Sequence, residues 1–164
     1  GIVEKIPNRG VFVHQPGPIE LLEMFEVMSE LESICGRLAA KRISETALKK
    51  LHEANAKCKK AIKNSNPDAY YLENEQFHKI IYNQSGNRFL EKEAIKLQKR
   101  LQPFRRIQLR FRGRIEQSMT EHEIIVQALT IGDASMAESA LRNHVAVQGD
   151  KFHQLVASFG KTTE

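Results

Sequence analysis

Apolar residues recur at helical spacing along almost the whole chain, and this periodicity is the feature that most constrains the fold. In the first long segment, from about Ile19 to Arg42, the apolar positions are three or four residues apart: Leu21, Phe25, Met28, Leu31, Cys35 and Leu38. Residues at this spacing lie on one face of an α-helix. Five later segments repeat the pattern, and short loops between amphipathic helices favour antiparallel neighbours. The sequence therefore predicts an all-α fold, an antiparallel bundle of about six helices.

Turn and capping residues mark where these helices begin. Ser44 precedes the second helix as an N-cap, and Asn66-Pro67 opens the third with an N-cap followed by proline at the first helical position. Gly86-Asn87 separates the third helix from the fourth. Ser118 and Glu121 have the spacing of a capping box, which predicts that the fifth helix begins there.

The first 13 residues differ in character from the rest of the chain. Two β-favouring runs, IVEKI and VFV, flank the turn-forming Pro7-Asn8-Arg9-Gly10, which predicts a β-hairpin. The HQPGP stretch at residues 14–18 is typical of a linker. The helical domain is then expected to span residues 19–160. Two strands alone are marginally stable in water, so the hairpin is expected to belong with structure outside the helical domain.

Length and composition bound the class of protein. With 164 residues and 41% hydrophobic content, the chain is long enough for one domain with a sizeable core. A formal net charge of +5 is compatible with a polyanionic partner such as DNA. Two cysteines at apolar helical positions form no disulfide framework, which fits a cytoplasmic setting. There is no unbroken apolar run long enough to cross a bilayer, so no membrane partner is expected.

Three histidines lie on the apolar faces of three different predicted helices. They are His78, His122 and His144, and Asn74 lies one turn before the first of them. A buried imidazole without partners costs about 1–3 kcal/mol. One divalent metal ion could bind all three rings, with Asn74 supplying an oxygen. Imidazole and oxygen ligands suit zinc, nickel, iron or copper. The alternative is a metal-free polar network that includes buried water.

A metal ion held by neutral ligands would carry net positive charge, so a small carboxylate is the expected guest. The run RRIQLRFRGR at residues 105–114 holds five arginines. Most of it is interpreted as a solvated helix end, favoured there by the helix dipole. Arg105 lies one turn after Leu101 and so near the apolar face, whereas Arg106 and Arg110 point away. Arg105 is therefore the candidate contact for an effector carboxylate.

Several motifs occur together in an order known from one family. The first helix carries LESICGRLAAKR, the third carries NEQFH ending at His78, and Glu121-His122 is followed by IIVQALTIGDASMAESALRNH ending at His144. In these motifs the chain resembles the FCD domain, the effector-binding domain of the FadR branch of GntR-type bacterial transcription regulators. The resemblance covers residues 18 to about 155. Asn74 stands in place of the family's usual aspartate, and Met28 in place of a frequent arginine.

The resemblance implies an FCD-like helical bundle that senses a small metabolite, such as a carboxylate or sugar acid, at a metal site. It implies a homodimer whose DNA contacts lie in an upstream winged helix-turn-helix domain, of which residues 1–13 would be the last hairpin. On this reading the recognition helix lies upstream of the sequence given, and no DNA-binding residue is assigned within it.

Two other functions fit the same residues. Three histidines with an open position also describe metal-dependent enzymes, here one acting on a small organic acid, although no catalytic residue is assigned. A helical interaction module without metal is the third possibility. Glu121 bears on this choice, because it either orients a ligand histidine or completes the capping box.

Overall fold

The predicted helical bundle is present. The structure is a computed structural model that describes residues 3–6, 10–13 and 16–160, with the side chains of residues 16–147. Within those residues the chain forms six helices: α1 (Pro18–Ala39), α2 (Glu45–Lys63), α3 (Pro67–Gln84), α4 (Arg88–Gln108), α5 (Arg114–Ile131) and α6 (Ala134–Gly160). The prediction of an all-α bundle of about six helices is confirmed.

A two-stranded hairpin precedes the bundle. Strands β1 (Val3–Ile6) and β2 (Gly10–Val13) pair antiparallel, with Val3 opposite Val13 and Ile6 opposite Gly10. The predicted hairpin is therefore observed as a strand pair, while its turn at residues 7–9 lies outside the described residues. Its interpretation as the end of a winged helix-turn-helix domain stays a prediction.

Capping side chains fix the starts of three helices as the sequence predicts. The Ser44 hydroxyl accepts a hydrogen bond from the Ala47 amide at 3.2 Å, and the Asn66 side chain accepts one from the Ala69 amide at 2.9 Å. Asn87 caps α4 in the same way. Each cap satisfies an amide that the first helical turn leaves unpaired, which contributes about 1 kcal/mol.

The capping box predicted at Ser118 and Glu121 is wrong. Helix α5 begins four residues earlier, at Arg114, after Gly113 with a φ of 77°. This left-handed conformation suits glycine and lets the chain turn sharply out of α4. Ser118 and Glu121 therefore lie inside α5, and the side chain of Glu121 is available for another role.

The core is built around the pairing of α1 with α6. Gly36 in α1 permits a close approach, since a Cβ atom there would lie 2.2 Å from Leu141 Cδ1 and 3.0 Å from the Ala137 carbonyl oxygen. Helix α2 packs on α3, and α5 packs on α2 and α6. A second, smaller apolar cluster forms around Cys58, Tyr70 and Met119. Helix α3 contributes residues to both clusters and also carries the buried Asn74 and His78.

Candidate metal and effector site

The three predicted histidines meet inside the bundle. His78 in α3, His122 in α5 and His144 in α6 are each at most 1% exposed. Their candidate ligand atoms all lie within 4.8 Å of one another. The prediction that these rings converge on a common point is thus matched by the geometry.

His78 is held by a fully buried carboxylate on α1. Its Nδ1 lies 2.6 Å from Oε2 of Glu32, whose other oxygen accepts hydrogen bonds from the Tyr82 hydroxyl at 2.8 Å and from Arg105 Nη1 at 3.1 Å. Burial opposes ionisation of Glu32, but the neighbouring His78 and Arg105 outweigh it and hold the pKa of this carboxyl well below its usual range. Glu32 is therefore a buried anion that binds three partners.

His144 is held in the same manner by a carboxylate on α5. Its Nδ1 lies 2.6 Å from Oε2 of Glu121, and Arg114 Nη2 donates to the same oxygen at 3.0 Å. Burial raises the pKa of Glu121, and the adjacent Arg114 works against that rise. Of the two roles that the sequence left open for Glu121, the observed contact is the orientation of a histidine.

These two contacts determine which ring nitrogens face each other. A neutral imidazole that carries its proton on Nδ1, the nitrogen facing the carboxylate, presents a lone pair at Nε2. The Nε2 atoms of His78 and His144 lie 3.2 Å apart. Burial, followed by the charge of His78, holds the pKa of His144 well below its usual range. The two Nε2 atoms lie at hydrogen-bonding distance, so either a proton on one ring or a metal ion can join them.

His122 has a different environment. Its ring stacks on Phe77, with centroids 4.1 Å apart and an interplanar angle of 10°. Neither of its nitrogens has a hydrogen-bond partner among the described residues. Burial and the neighbouring His144 and His78 hold its pKa well below the usual range, so the ring is neutral. A metal ion could accept the lone pair of one of these nitrogens, while the N–H of the other would still require an acceptor.

The nitrogens of His78 and His144 are spaced as two ligands of one divalent metal ion, whereas the three histidines together span up to 4.8 Å. Two nitrogens bound to one ion at about 2.1 Å lie roughly 3.0–3.4 Å apart, which the observed 3.2 Å between His78 and His144 matches. A carboxylate behind a ligand histidine fixes the ring and raises its basicity. Glu32 and Glu121 are placed to do this. Asn74, the fourth predicted ligand, is 6% exposed and lies one turn before His78. Its bond to a metal ion stays a prediction.

Two arginines border a small cavity that Asn74 also lines. Arg105 and Arg114 are 5% and 3% exposed, and together with Asn74 and Ser118 they line a space of about 10 Å³. Arg105 is thus buried, as its helical register predicts. Met28, at the position where the family often has arginine, is fully buried in the core. The buried guanidinium groups come from α4 and α5 instead.

The rest of the arginine run lies at the surface. Arg106 and Arg110 are exposed, as predicted. Arg106 Nη2 forms an ion pair with Asp68 at 2.8 Å. Exposed pairs of this type contribute little to stability, so this part of the run behaves as a solvated helix end.

Sequence reasoning missed Glu32 and Arg114. Glu32 lies four residues after Met28 and three before Cys35, and so it shares the apolar face of α1. Arg114 lies eight residues, two helical turns, before His122. A charged residue on an apolar face is the signal that could have found both. For Arg114 this signal was missed, because α5 was predicted to begin only at Ser118, after this residue.

The chain is a helical bundle with a buried polar centre, and comparison with known proteins names its family. Residues 23–147 match the FCD domain, so the chain belongs to the FCD domain family. FCD is the C-terminal, effector-binding domain of GntR-type transcription regulators. No curated protein matches the sequence significantly.

Solved structures share the fold at low sequence identity. Escherichia coli McbR/YncC is 18% identical with a TM-score of 0.83, over 94% of this chain and 78% of that chain. Streptococcus agalactiae GntR is 19% identical with a TM-score of 0.68, over 90% and 74%. Lar, which controls expression of the agr system in Listeria monocytogenes, is 14% identical with a TM-score of 0.76, over 94% and 74%. These likenesses concern the fold.

Within the part of the chain that the structure describes, none of the helices combines the length and the apolar character needed to span a bilayer.

Proposed function

We propose that this chain senses a small carboxylate through a divalent metal ion held by His78, His122 and His144, with Asn74 as a fourth ligand. The observation that carries the proposal is the pair of facing Nε2 atoms, 3.2 Å apart, whose rings are each held from behind by a carboxylate. Zinc or nickel suits such ligands. The bound ion would supply an open coordination position for a carboxylate oxygen.

Arg105 is the proposed effector contact beside the metal ion. It is buried, lines the cavity next to Asn74, and uses one nitrogen to hold Glu32. A guanidinium in a buried setting binds carboxylates strongly, because charge-assisted hydrogen bonds gain strength where water is excluded.

A sensing role fits the site better than catalysis. Glu121 is the candidate general base of a metal-dependent enzyme, but Arg114 and His144 both contact its Oε2. A carboxylate engaged in this way is placed to orient a ligand rather than to accept a substrate proton. Histidines held in fixed orientations suit the binding of a ligand rather than its turnover.

Regulation would act through an attached DNA-binding domain in a cytoplasmic homodimer. We propose that residues 1–13 end a winged helix-turn-helix domain, residues 14–18 link it to the sensor, and residues 19–160 bind the effector and dimerise. Effector binding would then favour one dimer geometry and change the spacing of the DNA half-sites. Sedimentation of the chain should give about twice its mass of 18.7 kDa. A monomer at all concentrations would contradict this part of the proposal.

The metal site is tested by native mass spectrometry and calorimetric titration of the chelator-treated chain with zinc and nickel. One ion should bind per chain. Joint replacement of His78→Ala and His144→Ala should abolish binding, whereas His52→Ala, at an exposed histidine of α2, should leave it unchanged. Saturable binding that survives the joint replacement would contradict the site.

Effector sensing is tested by thermal-shift screening of small carboxylates and sugar acids on the metal-loaded and metal-free chain. A ligand at 100 times its Kd stabilises the folded state by about 2.7 kcal/mol. The shift should require the metal ion and should be lost in Arg105→Gln. A screen in which no acid raises the melting temperature of the loaded chain would contradict sensing of a small carboxylate.

A further inference from the structure

A cleft lies between the α2–α3 connection and the α4–α5 connection, and we call it the loop cleft. Residues 61, 62, 65–67 and 70 line one side of it, and residues 109–113, 115 and 116 line the other. Its volume is about 570 Å³, within the range of roughly 300–1,000 Å³ that is typical of sites for small organic ligands. The three histidines of the proposed metal site are not part of the lining that the described residues form.

The floor and walls of the loop cleft are apolar. Ala61, Tyr70 and Leu109 are buried and form its floor. Ile62 and Ile115 are half-buried in its walls, and they pack against the floor residues in the smaller apolar cluster. A ligand with an apolar body would remove the remaining wall surface from water, which is favourable in proportion to the area buried.

An aromatic ring and two arginines lie at the mouth of the loop cleft. The side chain of Phe111 is 36% exposed. Arg110 and Arg112 precede and follow it along the chain, and both are exposed and line the cleft. Glu116 is the one acidic residue of the described lining. Because two arginines face one glutamate, the lining has a net positive charge.

These two arginines differ from the rest of the arginine run. Three members of the run have a carboxylate partner within 3.1 Å: Arg105, Arg106 and Arg114. Among the described residues, Arg110 and Arg112 form no ion pair. The nearby Asp68, whose pKa is lowered first by Arg106 and less by Arg110, is already held by Arg106. The guanidinium groups without a carboxylate partner are thus the two that line the loop cleft.

We propose that the loop cleft is a second ligand site, which takes an aromatic organic anion. The rings of the ligand lie against Phe111 and the apolar walls, and its anionic group meets Arg110 and Arg112. A guanidinium group forms charge-assisted hydrogen bonds with anions and also stacks on aromatic faces, so an aromatic anion uses both properties. An inorganic anion would leave the apolar walls in water, and an uncharged aromatic molecule would leave the arginines without a counter-ion. This site goes beyond the proposed metal-dependent sensing and requires no metal ion.

The experiment compares two matched probes on the folded, metal-free chain. Anilinonaphthalene sulfonate is an aromatic anion that fluoresces in apolar surroundings, and anilinonaphthalene has the same rings without the sulfonate. One anion should bind per chain, about tenfold more tightly than the uncharged probe, which is the gain expected for a hydrogen bond to a charged group near the surface. Equal affinities of the two probes would overturn the proposal.

Paired substitutions assign the preference for the anion to the loop cleft. The double variant Arg110→Gln/Arg112→Gln should lose this preference and keep its affinity for the uncharged probe. The double variant Arg88→Gln/Arg106→Gln is the matched control, because it removes the same charge at exposed arginines of α4 outside the cleft. A full preference in the first variant, or an equal loss in the control, would overturn the proposal.

The aromatic wall and the location are tested separately. Phe111→Ala should weaken the binding of both probes severalfold, whereas Ile107→Ala, at an exposed apolar residue of α4 outside the cleft, should change neither affinity. When the anion binds to isotope-labelled chain, amide chemical shifts should change mainly at residues 61–67 and 109–116. Shifts centred on other residues, or unchanged affinities in Phe111→Ala, would overturn the site.

These outcomes are separable from those of the proposed metal site. The joint replacement of His78→Ala and His144→Ala should leave the affinity for anilinonaphthalene sulfonate unchanged. Loss of anion binding in this variant, when circular dichroism shows it to be folded, would place the probe at the histidines and overturn the proposal. Failure of the unchanged chain to bind zinc would contradict the metal-dependent function alone.

Discussion

The two carboxylate-held histidines and the stacked His122 are buried with different kinds of partner. His78 and His144 each contact a glutamate through Nδ1, and each glutamate contacts an arginine. His122 lies against the ring of Phe77 and has no polar partner among the described residues. Two rings are thus oriented by carboxylates, whereas the third would gain a partner for one nitrogen from the proposed metal ion. Substitutions at the carboxylate-held histidines and at His122 should therefore differ in their effects on metal affinity and on the stability of the metal-free chain.

The largest effect is expected at the carboxylate that supports His78. Glu32→Ala leaves Arg105 as a buried charge without its counter-ion and removes the partner of Tyr82, which should lower the free energy of unfolding by about 3–5 kcal/mol. Urea unfolding followed by circular dichroism measures this. Glu30→Ala is the control, because Glu30 pairs with Arg142 at the surface and should matter little. Equal losses of unfolding free energy in both variants would show that the buried network around Glu32 does not stabilise the fold.

The sharpest comparison replaces one histidine at a time with leucine in metal-free protein. His122→Leu removes two unpaired nitrogens and should stabilise the fold by about 1–2 kcal/mol, whereas His78→Leu removes a partner of Glu32 and should destabilise it by about 1–3 kcal/mol. Both should abolish metal binding. Chemical denaturation in the presence of a chelator gives the two signs. A stability change of the same sign in both variants would contradict the different roles of His78 and His122.

The packing of α1 against α6 should also affect the position of His144. Gly36→Ala places a methyl group against Leu141 and the Ala137 carbonyl, and forcing α6 away from α1 should cost about 1–3 kcal/mol. Because α6 also carries His144, metal affinity should fall as well. Gly17→Ala is the matched control, since no atom lies within 4 Å of the added carbon. Thermal unfolding and zinc titration of both variants test this. Undiminished metal affinity in folded Gly36→Ala would show that His144 tolerates a shift of α6.

The smallest effect concerns thiol reactivity. Cys35 lies one turn after Glu32 in α1, and Cys58 packs in the smaller cluster with Tyr70. Burial raises the pKa of both thiols to about 12, so each should react with a thiol reagent only after local opening. Mass spectrometry of partly labelled protein should find Cys58 modified first, because fewer contacts hold its cluster. Earlier labelling of Cys35 would reverse the expected order of opening.

The fold could be predicted because its signals are local. Apolar periodicity and the caps at Ser44, Asn66 and Asn87 determine helices within a few residues. The start of α5 could not be placed, since it depends on the positive φ of Gly113, whereas Ser118 and Glu121 imitate a capping box. The inward histidines followed from register. The partners of those histidines did not, because Glu32 and His78 are 46 residues apart and meet only through tertiary packing.

Glu32 lies far along α1 from the first residue of the helix. It lies 14 residues (32 − 18) after the start of the helix at Pro18, about 21 Å along the axis at about 1.5 Å per residue. A tilt of about 5° around this buried anchor would carry the first turn of the helix through about 2 Å. A rotation of α1 about Glu32 would therefore displace most the end of the helix that leads back along the chain to the paired strands.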